Sequence, residues 1–252
     1  MKMSKAQYIV VAFLLYVVFL AAQMPAWVVP HFLSRYSQHS VVLEDMQGTV
    51  WQGRASRLVV QPPAKPVVTL KDVEWQILWL PLLQGEMGMR FTIADPLYPG
   101  KGTIVFGRKN RVVLKNFTVQ LPASVLSVFA PQLAIWRPGG SLIAHGEHGV
   151  WMNGNMQGSA EIQWQNASTS LVKLPAVGSY RAVIHGTEPA SQFRVVTLTG
   201  PLSVEGSGQW SRAQGLKFSG YAKATAYSSQ LQDLLGLLGR NLGNGVYQIS
   251  FP

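Results

Sequence analysis

The run Gly48-Thr49-Val50-Trp51-Gln52-Gly53-Arg54-Ala55 decides how this chain is read. It lies within residues 41–85, which continue through Val67-Val68-Thr69-Leu70 and Val73-Glu74-Trp75 and close on Trp79-Leu80-Pro81-Leu82-Leu83-Gln84-Gly85. Short β-branched and aromatic segments punctuated by glycine and proline read as strands joined by tight turns. Val73, Trp75 and Ile77 alternate with polar residues, the period of a half-buried strand. Strands are predicted around Leu43 and Val50, turned by Met46-Gln47-Gly48. Gly48 and Gly53 read as turn and bulge positions, with Trp51 and Trp75 packing the sheet. Pro62, Pro63 and Pro66 make residues 61–66 a loop, because proline brings no N–H to a ladder.

The same grammar runs outward to the C-terminus. Met87, Met89, Phe91 and Ile93 share one face, as do Phe117, Val119 and Leu121, and Ala160, Ile162 and Trp164. The 24 glycines and 15 prolines are spread along all 252 residues, and 48% of residues are hydrophobic against 13% charged, so an all-β body can bury a sizeable core. Residues 141–145 and 149–152 read as separate strands, and Asn153-Gly154 as a hairpin turn. Glycines 206, 208, 215 and 220 suit bulges or bends. A short helix is expected within residues 122–133. A firmer one is capped by Ser229, with Leu231, Leu234, Leu235 and Leu238 at i, i+3, i+4 and i+7. Residues 239–245 end it and 246–251 form a last strand. The predicted class is mainly β: a curved antiparallel meander, groove or open barrel, with one short C-terminal helix. Gly149-Val150-Trp151 and Gly208-Gln209-Trp210 echo each other and suggest two units, about 41–133 and 139–252.

Upstream the pattern changes. Residues 8–22 carry no polar side chain except tyrosine hydroxyls, and across residues 6–29 only Gln7, Gln23 and Pro25 interrupt the apolar run. A helix needs about 20 largely apolar residues to cross a bilayer. A transmembrane anchor within residues 1–30 is therefore expected, with Tyr8, Leu14, Phe19 and Trp27 among its residues. Lys2 and Lys5 precede it and no acidic residue occurs before Glu44, which puts the N-terminus in the cytoplasm and the body outside. Trp27 and His31 fall where an interfacial belt would lie. Residues 31–40 read as a polar linker and 41–252 as the body. The alternative is a cleaved signal peptide, with Ala21-Ala22 as the small-residue site. The absence of cysteine suits an oxidising compartment and excludes thiol chemistry.

The net charge of +10 is dispersed, and its tightest group, Arg108-Lys109-Asn110-Arg111, reads as a hairpin. Without a basic stripe interleaved with stacking aromatics, nucleic acid is not an expected partner. Anionic lipid headgroups or an acidic protein face fit better. No nucleophile elbow, Walker loop or dinucleotide fingerprint occurs. His145-Gly146-Glu147-His148 could offer metal ligands, but a zinc site needs at least three held rigidly, and polar residues are expected in a turn there anyway. Glu44, Asp45, Asp72, Glu74 and Glu86 read as a solvent face. No catalytic residue, metal or cofactor is expected. The seven tryptophans beyond the anchor could fill the core, line a lipid or peptide groove, or face a partner.

With these residues in place, the chain resembles protein N of the type II secretion system. The resemblance rests on Gly48, Trp51, Gly53 and Arg54, on Val73 to Trp75, and on Leu80-Pro81 to Gly85. Leu198-Thr199-Gly200-Pro201-Leu202 and the leucine helix extend it over essentially the full chain. It implies a non-enzymatic, inner-membrane-anchored, mainly periplasmic accessory component, with other secretion components and inner-membrane lipid as partners. Gly48, Trp51, Gly53, Arg54, Trp75, Pro81 and Gly85 would then be motif or interface positions. The Trp-Leu-Pro-x-Leu-x-Gly pattern also resembles AsmA-like anchored β-groove proteins, which implies the alternative role of a carrier of lipid or another hydrophobic ligand.

Overall fold

A computed structural model describes residues 5–29, 41–60, 67–108, 110–129, 135–152, 155–186, 190–211 and 215–251. The expected linker at 31–40, the loop at 61–66 and the Asn153-Gly154 turn lie outside these residues. Four helices are described: α1 (Lys5–Ala22), α2 (Trp79–Leu83), α3 (Leu126–Phe129) and α4 (Ser228–Leu238). The strands are β1 (Val41–Gly48), β2 (Gln52–Val60), β3 (Val68–Leu78), β4 (Met87–Ile93), β5 (Gly100–Phe106), β6 (Val112–Pro122) and β7 (Gly139–Met152). They continue with β8 (Asn155–Ser168), β9 (Gly178–Gly186), β10 (Ser191–Thr199), β11 (Leu202–Ser211), β12 (Gly215–Ala224), β13 (Arg240–Gly243) and β14 (Val246–Phe251).

All fourteen form one antiparallel sheet in chain order, except that β14 sits between β12 and β13. The ladder is open, with β1 and β13 at its edges. A meander places its connections alternately at two ends. Thr49 to Trp51 and α2 lie at the end we term proximal. Residues 94–99, 123–129 and 169–177 lie at the distal end.

One face is apolar along most of the ladder, the edge strand β13 excepted, and the sheet curls toward it. Trp151 on β7 and Trp210 on β11 bring their ring centroids to 5.1 Å. A flat sheet would hold those strands about 19 Å apart, four steps of about 4.8 Å. Glycines permit the curl by leaving room beneath rings. Phe91 lies opposite Gly102, Phe117 opposite Gly146, and Phe193 opposite Gly208. At each glycine a Cβ would come within 3.0 Å of the ring opposite. The sequence suited bulges or bends at Gly206, Gly208 and Gly220; they are regularly paired floor positions and not bulges.

Irregular backbone falls elsewhere, and it comes with a register shift at Asn116 and Asn166 but not at Asp45 or Asp72. Asp45, Asp72, Asn116 and Asn166 adopt positive φ of 44–51° inside strands, a conformation Asp and Asn tolerate better than most residues. Each resets which side chains face the core. Leu70 and Val73, three apart rather than two, both belong to one buried cluster.

The distal end is the sealed one. Leu231, Leu234 and Leu235 of α4 pack with Tyr180, Leu202, Ala222, Tyr247 and Ile249. Val68, Leu70, Val73 and Ile93 form a second cluster, with Tyr98, Leu121 and Val125 against it. The expected Ser229 cap is displaced: α4 starts at Ser228, and Tyr227 (φ 53°) takes the N-cap position with no side-chain bond. Its carbonyl accepts from the N–H groups of Gln230 and Leu231.

The N-terminus departs most from expectation. Among the described residues no helix is long and apolar enough to cross a membrane. The apolar run expected as one span over residues 6–29 is divided. α1 ends at Ala22 after 18 residues, about 27 Å at 1.5 Å per residue. Gln23 and Met24 then turn the chain, Pro25 bridges to Thr49, and Ala26–Val28 form a 3-10 turn. Ala26 is buried against Ala55 and Trp75. Trp27 therefore lies beyond the helix, on that turn, 69% exposed. Tyr8, Leu14 and Phe19 are on α1, where every described side chain is exposed.

Candidate functional site

The motif residues assemble where α1 meets the sheet. Gly48 closes the β1–β2 hairpin with φ +89°, and a Cβ there would sit 2.5 Å from the Gln52 carbonyl oxygen. The turn itself is Thr49 to Trp51, a few residues later than the sequence pattern suggested. Trp51 leaves the sheet and donates its indole N–H to the Ala21 carbonyl at 2.7 Å. That carbonyl belongs to the last turn of α1, where four such groups lack helical partners. The Trp51 ring stacks on Trp79 with centroids 4.6 Å apart. The Val50 N–H adds a bond to the Met24 carbonyl.

Gly53 is not a bulge. It pairs regularly with Gly48 and Trp75, and a Cβ would lie 2.4 Å from the Trp75 ring. That close approach buries the indole, whose N–H donates to the Val50 carbonyl at 3.0 Å. Arg54 points to the opposite, polar face, 2.7 Å from Asp72 and 3.8 Å from Glu74. The hydrogen bond and charge of Asp72 raise its pKa further. Pro81 of α2 covers Gly88, and Gly85 ends α2 with φ +73°. The seven motif positions thus build one junction: five shape it, Arg54 faces outward beside it, and Gly85 lets the chain turn back into β4.

The polar face carries the charge. Arg57 pairs with Glu44, Arg111 with Glu86, and Arg181 with Glu161. Such exposed pairs contribute about 0–1 kcal/mol each. A shallow depression on this face is lined by Gln47, Gln52, Arg54, Glu74, Gln76 and Arg90. A second is lined by residues that include His185, Gln192, Arg194, Ser207 and Lys217.

His145 and His148 are not in a turn. They lie within the continuous strand β7, opposite Glu161 and Ser159 respectively, across a register shift. No group of three His, Cys, Asp or Glu able to hold a metal occurs among the described residues.

Sequence reasoning passed over Asp95. It is buried and accepts N–H bonds from Lys71, Leu97 and Tyr98 at 2.8–3.1 Å. Burial pushes its carboxyl upward, but those three bonds and the Lys71 charge outweigh it and hold the pKa below 3.8. An Asp followed by Pro96 and a turn was the available signal. The structure also sorts the tryptophans: Trp75 is buried in the core. Trp164 packs against the distal cluster and donates to the Gly139 carbonyl. Trp51, Trp79, Trp151 and Trp210 all stand at the proximal end.

The family model described as type II secretion system (T2SS), protein N, matches residues 39–250, the whole sheet. No curated protein matches. No solved structure does either.

Proposed function

Because this chain belongs to the type II secretion system protein N family, we propose that it acts as a non-enzymatic scaffold of the secretion apparatus, attached to the inner membrane. The family match over the sheet carries this reading. The body would stand in the periplasm and bind other secretion components during export of folded proteins across the outer membrane. One feature supports the non-catalytic part: Glu44, Asp72, Glu74 and Glu86 are engaged by arginines.

Membrane attachment falls to α1. A helix apolar around its whole circumference needs an apolar surrounding, and the described side chains of α1 meet none within the chain. Lys2 and Lys5 favour leaving its start on the cytoplasmic side. Deleting the gene tests the scaffold. Loss of secretion, restored by the wild-type chain, is expected; unchanged secretion and unchanged assembly of the apparatus would overturn the reading.

A further inference from the structure

The two depressions on the polar face differ in kind. In the first, Arg54 is already held by Asp72 and Glu74. The second is lined by β9 to β14, and among the described residues no carboxylate contributes to it. Its basic side chains are His185, Arg194 and Lys217, all exposed and, among the described residues, none in an ion pair. We infer that this depression binds an acidic, extended segment of a partner protein. The inference rests on the scaffold reading and gives it a docking site.

Register builds the site. His185, Gln192, Gln209 and Lys217 stand opposite one another across β9, β10, β11 and β12, and directly opposed residues share a face. Arg194, Ser207 and Ser219 lie two residues along the same strands, and Ser250 of β14 extends this second rung. The rungs are about 7 Å apart and each spans three strand spacings, about 14 Å, the length of about four extended residues.

The chemistry of this grid selects the occupant. Positive charge with no carboxylate beside it attracts anions. The amides of Gln192 and Gln209 and the hydroxyls of Ser207, Ser219 and Ser250 can each donate and accept. A polypeptide backbone carries both N–H and C=O groups and can use both capacities; an ionised phosphate offers acceptors alone. A nucleic-acid strand would need exposed rings on which to stack its bases. Phe193 and Phe218 border the depression, but their rings lie against Gly208 and Gly206 on the opposite face. An acidic segment therefore satisfies more of this surface than a lipid headgroup or a nucleic acid does.

The probe is a fluorescein-labelled twelve-residue peptide of alternating Glu and Ser. Its anisotropy is followed as the full chain, in dodecylmaltoside micelles at low salt, is added. Arg194→Gln combined with Lys217→Gln should weaken saturable binding at least five-fold. Lys101→Gln combined with Lys115→Gln removes the same charge from exposed positions of the same face, outside the depression, and should change binding less than two-fold. All four side chains are exposed, so both variants should melt with the wild type. Arg194→Lys should retain binding. Equal weakening by the two pairs would reduce the effect to net charge and overturn the inference. Absence of saturable binding would also overturn it. So would displacement of the peptide by inorganic phosphate, by phosphatidylglycerol added to the micelles or by single-stranded DNA as effectively as by unlabelled peptide of equal charge. Photocrosslinks from Arg90 to secretion components, in a chain that does not bind the peptide, would leave the scaffold standing without this site. Peptide binding lost only in the Arg194 and Lys217 pair, in a chain dispensable for secretion, would leave the site standing without the scaffold.

Discussion

Two residues show how much single side chains decide here. Trp51 is the hinge pin between helix and sheet: its ring joins the Trp79 stack while its N–H occupies a carbonyl at the end of α1. Asp95 does comparable work out of sight, tying the first half of β3 to the turn after β4. Asp95→Ala leaves three backbone donors without their acceptor and is expected to destabilise the body by about 1–3 kcal/mol at neutral pH. Because the folded carboxyl sits below 3.8, its contribution is present above that pH and is lost as pH falls through the folded value. Denaturant melts of wild type and variant at pH 7 and pH 3 check both statements. The gap should be full at pH 7 and smaller at pH 3; a gap constant with pH would contradict the assignment.

Elements were legible in proportion to how regular they are. The leucine spacing of α4 identified the helix and its buried stripe, since Leu231, Leu234 and Leu235 are the residues that seal the distal core. Leu231→Ala should cost about 2–5 kcal/mol, read as a lower urea midpoint for the whole sheet. A change limited to local fraying of α4 would show that the helix is an appendage. Strands with clean alternation, such as β3 beyond Asp72, were found. The strand through Asn116 was also found, whereas those interrupted by Asp45 or Asn166 were misplaced or cut short, because a left-handed residue shifts the apolar period by one. The same effect hid the continuity of β7, whose His145–His148 segment mimics a turn while remaining in the ladder. β13, short and wholly exposed, carries no apolar pattern at all. The apolar run at the N-terminus misled in another way: hydropathy does not register that Pro25 and Ala26 are claimed by the sheet.

At the scale of the whole molecule, the class of fold could be read from the sequence, but its curl could not. Curl depends on which glycine lies beneath which ring across the ladder, a matter of register between segments distant in sequence. It turns one face into a groove and leaves the other as an open, charged surface about which the scaffold reading makes its strongest demand. Photocrosslinking in cells tests that demand most directly. A photoreactive residue placed at Arg90 or Ser207, on the polar face, should yield adducts with other components of the secretion apparatus in cells that export substrate. If the folded, membrane-associated chain gives no protein adduct from either position, the scaffold account is contradicted.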